Sequence, residues 1–145
     1  MPVTTPARSL YFENSSGRIW EEPGSFVRME YGAGAREAAA FRALLTHAVQ
    51  ALARRQWSGI LVDQRAMTPL TNAEQDWMST EWLPRAVAEY GYRHGAVLVA
   101  KDVFARLAMH HFVVASRGLN HTYRPFESEA EAVAWLLMKN EALSS

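Results

Sequence analysis

The chain has 145 residues, 49% of them hydrophobic, and fifteen basic side chains balance fifteen acidic ones. That length and apolar content suit one domain with an adequate core, and the charge balance excludes the basic footprint of a nucleic-acid binder. Cysteine is absent, which excludes disulfides, thiolate catalysis and Cys-based zinc sites. No apolar run reaches membrane-spanning length or forms the core of a signal peptide, so a soluble cytoplasmic protein without membrane insertion is expected.

Residues 1–8, with Pro2 and Pro6 and no periodicity, read as a flexible leader, 9–140 as one domain, and 141–145 as a short tail. Three short strands come first, SLYFENS, RIWEE and FVRMEY, parted by turn signals at Ser16-Gly17 and Pro23-Gly24. In the third, Val27, Met29 and Tyr31 alternate with Arg28 and Glu30, which predicts one dry face and one partly wet face. After GAGA, Phe41, Leu44, Leu45, Ala48, Val49 and Leu52 fall at helical spacing and predict a helix over about 35–56.

GILVDQR is a buried strand, and a second helical segment begins at Thr71, where Thr71 and Glu74 have capping-box form. Pro84 predicts a kink or restart before that segment ends at Glu89. GAVLVA is the next strand, paired in parallel through the intervening helix. A third helix starts after Asp102 and stops at Gly118, HTYRPF is the last strand, and SEAEAVAWLLMKN the last helix, opened by a second capping box at Ser128 and Glu131. The order is βββαβαβαβα.

With that order, the run from LVDQRAMTPLTNAEQDW through EWLPRAVAEYGYRHGAVLVA to DVFARL and EAVAWLL resembles the bacterial STAS-like proteins related to SpoIIAA. The resemblance implies an α/β fold: a mixed sheet with an N-terminal antiparallel meander and helices packed mainly on one face. It also implies an interaction surface for a protein partner. STAS switch proteins are phosphorylated on a Ser at the start of the helix after a core strand; the topological match here is the Thr68 to Thr71 junction, but the family's Asp-Ser-Ser/Thr-Gly motif is missing.

Asp63 and Arg65 follow a buried strand at its C-terminal end, where an anion could meet both Arg65 and the next helix start, with Thr68 and Thr71 beside them. The competing reading has Asp63 accept hydrogen bonds from its own turn while Arg65 pairs with a neighbouring carboxylate. Trp77 and Trp82, with Tyr90 and Tyr92, are candidates to line a pocket for a small apolar or amphipathic ligand; at helical spacing they serve equally as core. No metal is expected, because His47, His94, His110, His111 and His121 offer no i, i+4 pair. His111 is placed in or beside the core. No cofactor and no catalysis are expected, since GAGA lacks the later features of a dinucleotide fingerprint and no G-x-S-x-G elbow occurs.

The third helix is apolar on two sides. Val103, Leu107, His111 and Val114 form a stripe assigned to the core, with Phe104, Ala108 and Ala115 alongside. Met109, Phe112 and Val113 remain as a second patch, assigned to a homodimer contact in preference to a cover by the last helix.

Overall fold

Six strands hydrogen-bond side by side in the order in which they occur in the chain: β1 (Ser9–Asn14), β2 (Gly17–Glu22), β3 (Phe26–Tyr31), β4 (Gly59–Asp63), β5 (His94–Leu98) and β6 (Thr122–Phe126). The computed structural model describes residues 7–115 and 117–144, together with their side chains except at positions 105, 109, 111, 115, 143 and 144. The first three strands form the antiparallel meander, and β3 to β6 run parallel. At the first hairpin a Cβ on Gly17 would stand 2.0 Å from the Glu30 carbonyl oxygen, so only glycine lets β2 approach β3 there.

The helices are α1 (Ala38–Arg55), α2 (Asn72–Trp77), α3 (Leu83–Tyr90), α4 (Val103–Ala115) and α5 (Glu129–Ser144). The last runs through residues 141–144, so the tail expected there is helix. Between α2 and α3 a π-helical turn spans Met78–Trp82. Pro84 has no N–H to offer the ladder, and the helix widens just before it, so that Leu83 N–H bonds back to Met78 O.

Side-chain alternation divides the sheet between two cores. Val27, Met29, Ile60, Val62, Val97 and Tyr123 face one way and pack with α1, α3 and part of α4. Phe26, Leu61, Ala96, Leu98 and Phe126 face the other way and are covered by Ala132, Trp135 and Leu136 of α5. The partly wet face expected of β3 is therefore closed by α5, and Arg28 on it is 4% exposed. The mixed sheet and the excess of helices on one face agree with the sequence reading.

Helix α4 departs from it. Phe112 is 2% exposed, its ring 5.0 Å from that of Tyr123, and Ala108 is buried beside it. Val103, Phe104, Leu107 and Val114 are 67%, 72%, 53% and 43% exposed. The stripe assigned to the core faces outward, and Phe112, assigned to a dimer contact, belongs to the core; Val113 is partly buried against it. The side chains of Met109 and His111, which belong to these two assignments, lie outside the described residues. Anchors at the N-terminal end set the roll: Asp102 Oδ1 accepts from Phe104 N–H at 2.8 Å, and Arg106 Nε donates to Ala100 O at 2.7 Å. With that flank fixed, Ala108 and Phe112 meet the sheet.

Candidate functional site

The junction from β4 to α2 is held from below by apolar anchors and from the side by one buried cation. Met67 and Leu70 are buried, and Gln64 N–H donates to Leu98 O at 3.0 Å, so the loop lies on the sheet's C-terminal edge. Arg36 then spans the gap from the GAGA segment. Its guanidinium donates to Thr68 O and Pro69 O at 2.9 Å each and forks onto both oxygens of Glu74 at 2.8 Å. Such bidentate pairs fix geometry as well as charge.

This explains why α1 begins at Ala38 rather than at residue 35: the backbone before it stays non-helical while Arg36 reaches across. Glu74 also closes the capping box, accepting from Thr71 N–H at 2.9 Å while Thr71 Oγ1 accepts from Glu74 N–H at 3.1 Å. Thr68 Oγ1 accepts from Gly34 N–H at 3.0 Å. Both candidate hydroxyls therefore have structural work at this junction. Burial opposes ionisation of Glu74, but hydrogen bonds from Arg36 and Thr71 outweigh it and hold the carboxyl below its ordinary range.

Asp63 and Arg65 lie on the opposite side of the sheet, under the start of α5. Asp63 Oδ1 accepts from the Arg65 N–H and Nε, at 3.1 and 3.0 Å, and Oδ2 from Arg65 Nη2 at 2.8 Å and Arg28 Nη2 at 3.1 Å. Glu129, in the first turn of α5, accepts from Arg28 at 2.8 Å and from Arg65 at 3.3 Å, and Glu30 accepts from Arg28 Nε at 3.0 Å. Two cations and three carboxylates thus saturate one another. Burial raises the Asp63 pKa, but the Arg65 hydrogen bonds and the charges of Arg65 and Arg28 bring it below the ordinary value; the Arg28 hydrogen bond does the same for Glu129.

Above this network a polar hollow of about 480 Å³ opens between the first hairpin, the end of β3 and Arg65. Its other cation, Arg18, is paired with Glu13, and Glu30 also accepts from Trp20 Nε1 at 2.6 Å. No excess positive charge is left to draw an anion. Internal pairing, the competing reading of Asp63 and Arg65, is what the geometry shows.

Three of the four aromatic candidates, Trp77, Trp82 and Tyr90, border one small groove, and the fourth, Tyr92, does not. Trp82 is buried, its Nε1 donating to Leu45 O at 2.9 Å, and Tyr92 is wholly inside the core. Trp77 is half-buried, edge-on to Phe41 at 5.9 Å with Arg42 over its ring at 5.2 Å. The groove that Trp77, Trp82 and Tyr90 share measures about 230 Å³, below the ~300 Å³ at which small-molecule sites begin.

Among the described residues, no three His, Asp or Glu side chains stand close enough together to hold a metal ion, and no helix is long and apolar enough to cross a membrane. His47 Nδ1 lies 2.7 Å from Ala43 O, and its ring stacks on Phe12 at 3.8 Å. His121 sits between Tyr92 and Tyr123, with ring centroids 4.2 and 4.3 Å away.

Sequence reasoning missed Arg28 and Arg36, the two cations on which both networks turn. Arg28 carried a signal, as a charge on a strand whose neighbours are buried. Arg36 carried none, because its partners lie 32 to 38 positions away. Comparison with models of protein families, with curated proteins and with solved structures finds no match to this chain.

Proposed function

We propose that the chain is a STAS-like, non-enzymatic protein-interaction module of the cytoplasm, and that the outer stripe of α4 is its contact surface. One observation carries the reading: Val103, Phe104, Leu107 and Val114 stand 43% to 72% exposed on a single helix. A helix that is apolar all round is ordinarily buried all round. Here the sheet takes one side and, among the described residues, nothing covers the other. Contiguous apolar surface with a polar rim marks contact sites on otherwise soluble domains.

The junction supports the same reading from the other direction. Its charged and hydroxyl groups are engaged with one another, so its role is to hold the loop and α2 in place beside α4. Groove and helix are continuous: Pro69, Leu70, Asn72, Gln75, Asp76 and Ser79 face Phe104, Leu107, Ala108 and Phe112 across about 590 Å³.

The test uses the full chain, immobilised as wild type and as Leu107→Glu, with capture of soluble proteins from a cell extract, further copies of the chain included. Capture that is lost in Leu107→Glu and kept in Arg85→Ala, a substitution on the exposed side of α3, is the expected result. Capture that ignores Leu107, or none at all from a folded protein, would rule the surface out.

A further inference from the structure

We infer that the partner on α4 is a second copy of this chain, docked stripe to stripe about a two-fold axis running close to the helix; the inference rests on α4 being the contact surface. The first argument is spacing. Val103, Leu107, His110 and Val114 follow one another at steps of four, three and four, the seam of a two-heptad helix pair. Three of the four are exposed aliphatic residues, and His110 is exposed with them.

The second argument is that the two flanks of the stripe are complementary. At about 100° per residue, Arg106 and His110 fall on one side of the Leu107 line and Phe104 on the other. Beyond Phe104 lies the groove wall of α2, with exposed Asp76. A two-fold axis along α4 exchanges left and right, so the Arg106 flank of one copy meets the Phe104 and Asp76 flank of the other, twice. Arg106 suits that place: Ala100 O holds its Nε, while among the described residues Nη2 makes an exposed 3.9 Å approach to Glu127. Its guanidinium can then lie over the partner's aromatic ring and reach a carboxylate beyond it.

The third argument is area. With fully exposed areas of about 150–200 Å² per residue, the four apolar residues offer on the order of 400 Å² per copy at their observed exposures. A standard interface buries ~800 Å² per partner, a little over half of it apolar, and so needs about 450 Å² of apolar surface. The stripe supplies nearly that, and the charged flanks supply the rim. A stripe that matches its own image needs no other chain.

Sedimentation equilibrium of the purified full chain between 1 and 100 µM decides the matter. A dimer is expected for the wild type, and a folded monomer, with unchanged circular dichroism, for Leu107→Glu and independently for Val114→Lys. Asp76→Arg should weaken the dimer at least tenfold, and Asp76→Asn should weaken it less. A wild type monomeric at 100 µM, or a dimer indifferent to Leu107 and Val114, would overturn the second copy. If the wild type is monomeric while α4-dependent capture of another protein persists, the contact surface stands and only the second copy falls; if both fail, so does the proposed function. A dimer indifferent to Asp76→Arg would refute the axis.

Discussion

Helices α4 and α5 are both rich in apolar residues, and the fold treats them differently. Helix α5 lies across the sheet with Ala132, Trp135 and Leu136 buried. Charge ties its start, where Glu129 meets Arg28, and a hydrogen bond from Asn140 Nδ2 to Gly24 O at 3.0 Å ties its far half to the β2–β3 turn. Helix α4 is fastened at its N-terminal end and through Ala108 and Phe112, and it turns Val103, Phe104, Leu107 and Val114 to solvent. Apolar composition says that a helix needs burial; it does not say by what.

The largest test of this contrast is to remove each helix's anchor. Trp135→Ala and Phe112→Ala are each expected to cost about 3–5 kcal/mol in urea unfolding, since both vacate buried aromatic volume. Phe112→Ala should cost less, because a helix held at one end can settle into the gap. Equal or reversed costs would mean that α4 is bound as firmly as α5. Arg28→Met should cost less than either, because Arg65 still donates to both Asp63 and Glu129 once the buried guanidinium is gone.

Acid probes the end of the sheet away from α5's first turn. Burial, reinforced by His94 and Arg93, pushes the His121 pKa down to about 3, and burial also lowers that of His94. The unfolded chain takes up protons near pH 6.5 while the folded chain refuses them, so stability should fall as the pH drops below about 6.5. For His121 the slope approaches about 1.4 kcal/mol per pH unit and continues until its folded form titrates near 3. Asp63, Glu74 and Glu129 add to the loss at lower pH: their depressed folded pKa values give stability above about pH 4 that disappears as they protonate. His121→Phe should flatten the first limb, and an unchanged slope would show that this ring is not the one kept neutral.

Smaller effects separate the junction from the surface. Thr71→Ala should cost about 1 kcal/mol, whereas Thr71→Asp should be nearly neutral, because Asp caps as well and suits the helix dipole. A large loss with Asp would show that the hydroxyl does more than cap. Leu107→Ala, on the open side of α4, should change the stability of the isolated monomer by no more than about 0.5 kcal/mol. A core-sized loss there would restore the first assignment of the stripe.

What the sequence could show followed from local periodicity. The strands, the α1 stripe, the Thr71 capping box and the disruption before Pro84 all stand where spacing placed them, because each depends on neighbours within a few positions. Helix α4 could not be oriented that way. Its two stripes lie on opposite sides, periodicity favours the longer for the core, and the bond of Arg106 to Ala100 and the fit of Phe112 to Tyr123 of β6 decide the other way. The candidate site was legible to the same degree. Asp63, Arg65, Thr68 and Thr71 do sit at the junction, but their partners Arg28, Arg36 and Glu129 arrive from distant segments, and the partners decide what the junction can do.

Amide hydrogen exchange of the wild-type chain at sub-micromolar and at 100 µM concentration, followed separately in residues 103–115 and 129–144, tests most directly whether α4 is the helix that association completes. Protection in α4 should rise with concentration while protection in α5 stays the same, and Leu107→Glu should abolish the rise. Equal protection of α4 at both concentrations would contradict a second copy on its outer stripe.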